Sequence, residues 1–275
     1  MKIYSIALIS IVAALAAVQP LNADQMSPAK QTQTPPRVVY APFNLKYISA
    51  DDLAKNPDAY TIIDTRSTFS YNVLHIRGAQ SAPVILPKDE FLAAVRHIIG
   101  NSKKPVVFYC IGPVCIMAFK AAVLATQAGI PDVRVFDAGV YAFAHTHPTE
   151  CVLNGEPMRS ADQLISDEEF GAHLLGPDAI LAKLNNDPKA VVIDIRAPWQ
   201  RAGISLFQMR DQNIPLQDEA ALAAAIEQAK RDGVALYFID VKGIQVRALQ
   251  YFLRAHGVHN YWFVRGGAQA MMDGQ

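Results

Sequence analysis

Short apolar runs rich in β-branched and aromatic residues alternate along this chain with longer stretches whose apolar positions recur at helical spacing. Segment 105–109 is one such run and reads as a buried strand. Segment 117–128 is Ala- and Leu-rich, has the helical spacing, and stops at Gly129, a residue that commonly ends helices. Between them the segment Cys110-Ile111-Gly112-Pro113-Val114-Cys115-Ile116 carries no charge and has to turn the chain from strand into helix. A cysteine there faces free backbone N–H groups and the positive end of a helix dipole, an arrangement that holds an anion such as a thiolate. A cysteine closing an apolar run also serves simply as packing. Position alone leaves both roles open.

The same pattern occurs twice. Asp64 and Arg66 follow one apolar run, and Asp194 and Arg196 follow another. The run ending at Cys110 is matched by one ending at Asp240, and Cys110 is as far from Asp240 along the chain as Asp64 is from Asp194. Each is followed by a helical stretch, then by a further strand that begins after Gly129 or Gly257, at nearly the same separation. Such self-similarity marks an internal duplication. Strands alternating with helices predict an α/β fold: two tandem domains, each a mostly parallel sheet flanked by helices. The expected bounds are 46–155 and 156–275. The join lies where a Gly/Pro/Ser stretch gives way to a helix-capping pattern from Ser166 to Glu169.

The N-terminus is separate from this pattern. After Lys2, positions 3–18 form an uncharged apolar run, too short for a membrane span and suited to a signal-peptide core. A small residue, Ala23, stands before Asp24, so 1–23 reads as a signal peptide, with an uncleaved anchor as the alternative and the sole expected membrane contact. The expected location is therefore exported, periplasmic or secreted. Residues 24–45 are rich in Pro, Gln and Thr and read as a linker or arm. Hydrophobic residues make up 51% and charged residues 18%, which is enough apolar material for real cores. Formal net charge is zero and no Lys/Arg run is present, which excludes nucleic acid as an expected partner. The cysteine count is three, Cys110, Cys115 and Cys151, too few for a disulfide framework and odd, so at least one thiol is free or paired outside the chain.

Several of these segments resemble the rhodanese family of sulfurtransferases. Asp64-Thr65-Arg66 is similar to its Asp-x-Arg, and His75-Ile76-Arg77-Gly78-Ala79 to its His-Ile-x-Gly-Ala. The strand ending at Cys110 falls where that family has its active-site loop, and segment 128–144 resembles its closing strand and glycine turn. The second half is a looser match that keeps Asp194-Ile195-Arg196 and Gly266-Gly267 and lacks the His-Ile-x-Gly-Ala element. The resemblance implies a rhodanese-like fold in both halves and a sulfane sulfur carried as a persulfide on Cys110. It implies a cradle for that anion made of the backbone N–H groups of Ile111, Gly112, Val114, Cys115 and Ile116. It implies no cofactor or metal, and a small sulfur donor or a protein thiol as partner. The chain departs from the family pattern Cys-x-x-Gly-x-Arg at Pro113 and Cys115. Proline removes one backbone donor, and the arginine that would help hold an anionic donor is absent. A phosphatase loop of the Cys-(x)5-Arg type would need arginine where Ile116 stands.

Cys115 has three readings at this point: packing beneath the helix, a disulfide with Cys110, or the thiol that resolves a Cys110 persulfide. Cys151 reads as structural. His145 and His147 read as loop or capping residues, and His75 as structural. Asp64/Arg66 recur as Asp194/Arg196 in a half without cysteine, which argues that they brace the strand-end loops. Asp240 stands at the nucleophile's position and cannot form a persulfide, so the second half reads as catalytically silent. Two other functions compete with sulfur transfer: a thiol–disulfide redox protein using Cys110 and Cys115, and a non-catalytic binding module.

Overall fold

A computed structural model describes residues 35–207 and 210–274. The expected signal peptide, residues 1–23, and residues 24–34 of the expected arm lie outside the described residues. The first half runs through helix α1 (Pro36–Val39), strand β1 (Lys46–Tyr47), α2 (Ala50–Lys55), β2 (Thr61–Asp64), α3 (Thr68–Val73), β3 (Leu74–Ile76) and β4 (Gln80–Ser81). It continues with α4 (Lys88–Ile99), β5 (Val106–Tyr109), α5 (Met117–Gln127), β6 (Val133–Phe136), α6 (Gly139–Thr146), β7 (Cys151–Leu153) and β8 (Glu156–Pro157). The second half contains α7 (Asp167–Ala172), β9 (Leu174–Leu175), α8 (Pro177–Asn186), β10 (Val191–Asp194), α9 (Pro198–Arg201) and β11 (Asp211–Asn213). It ends with α10 (Glu219–Asp232), β12 (Leu236–Ile239), α11 (Val246–Ala255), β13 (Tyr261–Val264) and α12 (Gly267–Asp273).

Two five-stranded sheets result, ordered β1-β6-β5-β2-β4 and β9-β13-β12-β10-β11, with every pairing parallel. The strand order is the same in both. The register repeats too. Ile62 faces Val107 and Asp64 faces Tyr109, while Val192 faces Tyr237 and Asp194 faces Ile239. A third sheet, antiparallel β3-β7-β8, belongs to the first half.

The central strands read as unbroken apolar runs because helices cover both sheet faces, and the two-residue period assigns their side chains to different cores. Val106 and Phe108 enter a core confined to the first half, together with Phe91, Phe119 and Cys110. Val107 and Tyr109 point the other way, into a larger core that also takes Ile193, Leu236, Phe238 and Phe263 from the second half. Tyr237, Ile239 and Val264 line a third core, confined to the second half. From Pro35 onward the chain forms one compact unit. The halves meet where Phe69 of α3 lies 5.6 Å from Phe252 of α11, ring to ring, and Tyr141 of α6 stacks on Tyr251.

Caps fix where the connecting helices begin. Ser49, Ser67 and Ser166 each accept a hydrogen bond from a backbone N–H of the helix that follows, which satisfies a donor the helix leaves open. The described end of the arm is helical rather than extended: α1 docks through Arg37, which is paired with Asp137, and Tyr40 lies 5.3 Å from the Phe119 ring.

Candidate active site

Cys110 follows the last residue of β5, at the carboxyl end of the central strand of the first sheet, where ligand sites of open α/β sheets form. Its strand is anchored just before the cysteine. The Tyr109 carbonyl accepts hydrogen bonds from the Thr65 N–H at 3.1 Å and the Thr65 hydroxyl at 2.7 Å, and the Tyr109 hydroxyl accepts one from the Ile76 N–H at 3.2 Å. Asp64 and Arg66 sit beside it, buried, with a guanidinium–carboxylate distance of 2.6 Å, and Arg66 also donates to the Leu74 carbonyl. Burial alone would push the Arg66 pKa down, but the Asp64 carboxylate outweighs it and holds it up. Asp194 and Arg196 repeat the arrangement at 2.7 Å, with Arg196 donating to the Ile204 carbonyl. The pair thus ties the end of β2 or β10, the neighbour of the central strand, to the segment that follows α3 or α9, as its recurrence in a half without cysteine implies.

The loop itself is shallow. Cys110 is 4% exposed, Ile111, Gly112 and Cys115 are half-buried, and Val114 and Ile116 are 71% and 49% exposed. Cys110 and Cys115 are joined by a disulfide with their Cα atoms 6.4 Å apart. Of the three readings of Cys115, bonding to Cys110 is the one the structure contains. The Cys115 N–H donates to the Gly112 carbonyl at 3.0 Å, which closes a tight turn with Pro113 at its second position. That corrects one element of the expected cradle: in this form the Cys115 N–H is spent on the turn and is not offered to an anion.

The floor of the loop comes from Gly139, which lies in the expected glycine turn of segment 128–144 and to which the sequence alone assigns no role of its own. Gly139 has φ +80°, and a Cβ there would fall 2.3 Å from the Gly112 nitrogen, so α6 starts on a glycine because the loop backbone lies against it. Val140 N–H then donates to the Cys110 carbonyl at 3.0 Å. Its counterpart is Gly267, whose added Cβ would fall 2.6 Å from the Asp240 carbonyl oxygen, and Ala268 N–H donates to that carbonyl at 2.8 Å. The signal was present as a glycine opening each closing helix, Gly139 and Gly267 being separated along the chain exactly as Gly129 and Gly257 are.

Asp240 occupies in the second half the place of Cys110 in the first, after β12, and is buried. Its carboxylate accepts the N–H groups of Gly243 and, at 2.6 Å, Gln245. Burial pushes its pKa up, and these donors at the start of α11 pull against that shift.

The remaining candidates fall away from the loop chemistry. Cys151 is buried in β7, opposite Ile76, and burial pushes its thiol up to about 12, so it is a packed and unreactive group. The His75 Nδ1 pairs with the Tyr71 carbonyl at 2.8 Å and its ring stacks on Tyr71. His147 pairs with Asp51 at 3.1 Å, while His145 is exposed on α6. Among the described residues no group of three or more His, Cys, Asp or Glu is placed to hold a metal ion.

Residues 49–146 match the family model of the rhodanese-like domain. No curated protein matches the chain. Among solved structures the chain is similar to thiosulfate sulfurtransferase from Pseudomonas aeruginosa, with 17% identity, 86% of this chain and 46% of that one covered, and a TM-score of 0.36. It therefore spans under half the length of that protein. It is also similar to the As-Sb reductase from Leishmania major, with 21% identity, 44% and 95% covered, and a TM-score of 0.35. A third is the rhodanese-like domain of a protein from Anabaena sp., with 20% identity, 44% and 83% covered, and a TM-score of 0.31. The strand-end cysteine loop and the family match fall on the same segment: residues 49–146 form a rhodanese-like domain.

Proposed function

We propose that the protein is an exported sulfurtransferase in which Cys110, once reduced, takes a sulfane sulfur as a persulfide and passes it to a thiol or another acceptor. The observation that carries this reading is the position of Cys110: it is the residue that leaves the central strand of the rhodanese-like domain for the loop before α5. Sulfur transfer needs a thiolate near neutral pH and an environment that tolerates the negative persulfide. The N-terminal end of α5, 11 residues long, supplies positive potential for both. The exposed Val114 and Ile116 leave the loop open to a small donor or a protein thiol. The second half is catalytically silent in this reading, because a carboxylate at position 240 cannot store sulfur.

Intact mass of the reduced protein after incubation with sulfane-sulfur donors tests it. The expected result is a cyanide-labile gain of one sulfur atom that is absent from Cys110→Ser. No gain with any donor would sink the proposal and leave the binding-module reading. The disulfide favours a second reading, thiol–disulfide exchange through Cys110 and Cys115. Turnover with protein dithiols in the absence of any sulfur uptake would select that one.

A further inference from the structure

The two strand-end loops of this molecule are internal references for each other, and they differ in one consequential way. Around Asp240 the backbone curls so that N–H groups of residues 243 and 245 converge on an anion, the carboxylate. That path needs Gly243 at φ +74°, a left-handed conformation. When Cys110 is aligned with Asp240, the residue that falls on Gly243 is Pro113. Proline has no N–H and holds φ at roughly −65°, so the path around Asp240 is closed to it. The first loop instead folds into the Gly112–Cys115 turn, and the second N–H of the pair, that of Cys115, goes to the Gly112 carbonyl. The two N–H groups that make direct hydrogen bonds to the Asp240 carboxylate, those of Gly243 and Gln245, are thus without a free counterpart at the first-half positions. What the turn achieves is to carry Cys115 back until its sulfur meets that of Cys110.

Resting on the sulfurtransferase reading, we propose that Cys115 resolves the Cys110 persulfide, so that the sulfane sulfur leaves as hydrosulfide and the disulfide of this structure is the product of that step. The thiol of Cys115 loses its proton and attacks Cys110 Sγ. The Cys110–S bond to the outer sulfur breaks, the outer sulfur departs with the electron pair and a proton as HS⁻, and the Cys110–Cys115 bond forms. The sulfane sulfur is reduced by two electrons and the two cysteines are oxidised by two. A dithiol reductant closes the cycle. Its thiolate attacks Cys115 Sγ, the half-exposed partner, and the nearly buried Cys110 leaves as thiolate. Its second thiol then frees Cys115, and the reductant departs as a disulfide. The part of the sulfurtransferase reading that this step rests on is the uptake of sulfur as the Cys110 persulfide, and the reaction class of the release step is a dithiol-dependent reduction of that sulfur to hydrosulfide.

A single-turnover experiment separates this from simple transfer. Fully reduced wild type, Cys115→Ser, Cys115→Ala and Cys110→Ser are each freed of reductant and mixed with one equivalent of glutathione persulfide, and intact mass and sulfide are read together. Wild type is expected to release one sulfide per chain and to lose two hydrogens. Both Cys115 variants are expected to retain one added sulfur and to release no more sulfide than Cys110→Ser does. A wild type that keeps the added sulfur on Cys110, with the Cys115 thiol free and no disulfide formed, overturns the inference and leaves the sulfurtransferase reading standing. Equal sulfide release by wild type and the Cys115 variants, with sulfur retained on none of them, or a glutathione adduct in place of sulfur on those variants, overturns the inference and counts against sulfur uptake by Cys110 as well. Absence of sulfur, sulfide and disulfide from all four proteins overturns both.

Discussion

His75 illustrates how a residue that looks chemical can be held for packing. It lies within the segment that matches the rhodanese-like domain, yet its ring is stacked on Tyr71 and its Nδ1 is engaged by the Tyr71 carbonyl. Burial pushes its pKa below the ordinary 6.5, an effect only partly offset by the hydrogen bond to that carbonyl. The sign follows from proton binding: below 6.5 the unfolded chain takes up a proton that the folded one resists, so stability falls as pH drops through that value and is intact above it. His75→Gln should flatten the pH dependence of the urea midpoint on the acid side of neutrality, and titration of the His75 ring by NMR should give a value under 6.5. A ring that titrates above it would refute the packing role. Asp64 and Arg66 were legible as structural for a related reason. A catalytic pair has no cause to recur in a half without cysteine, whereas a brace for a strand end does.

At the scale of elements, the glycines that open α6 and α12 seat the two strand-end loops. Each lies against the loop that follows a central strand, with no room for a methyl group. Gly139→Ala should lower stability by about 1–3 kcal/mol through left-handed strain and overpacking, and it should change the alkylation rate of reduced Cys110, because Gly112 and Ile111 must move. Gly267→Ala should lower stability comparably and leave Cys110 alkylation at the wild-type rate. Equal effects of the two on Cys110 would mean that the loop is not positioned by α6. The long elements were readable because strands such as Val106–Tyr109 are apolar throughout and helices such as Met117–Gln127 show the helical period. The edge strands were not. Lys46–Tyr47, Gln80–Ser81 and Leu174–Leu175 are too short to display any period, and their pairing is set by the neighbouring strand. The Gly112-Pro113 dipeptide was a turn signal. It was read for the donor proline removes and not for the turn proline makes, which is why three readings of Cys115 stayed open in the sequence.

For the whole molecule, the shared core decides how the halves behave on unfolding. Residues of both sheets contribute to one apolar cluster, with Phe69 and Phe252 in contact across the join. Neither half can lose its central strands without exposing part of the other, so unfolding should be a single cooperative event despite the two separate sheets. The protein carries its own probes: both tryptophans, Trp199 and Trp262, lie in the second half, and the buried thiol of Cys151 lies in the first. In urea, tryptophan fluorescence and Cys151 labelling should give coincident midpoints. A Cys151 midpoint displaced from that of the tryptophans would mean that the halves unfold separately. The repeated order of parallel strands was legible from the equal spacings of the two halves, but their union in one core was not, because residues such as Met158, Leu164 and Ile165 that complete it follow no period.

The Cys110–Cys115 bond spans a sequence separation of 5 residues. A cross-link stabilises a fold largely by shrinking the freedom of the denatured chain, and it does so according to the length of the ring it closes. For so small a ring the entropic gain is about 2 kcal/mol, against about 4.7 for a ring of a hundred residues. This bond is therefore a poor girder. Cleaving it releases little chain and leaves the parallel sheets, the buried ion pairs and the shared core untouched. A molecule built this way can gain and surrender two electrons repeatedly while its architecture hardly registers the change, which is what a working dithiol requires and a structural cross-link does not.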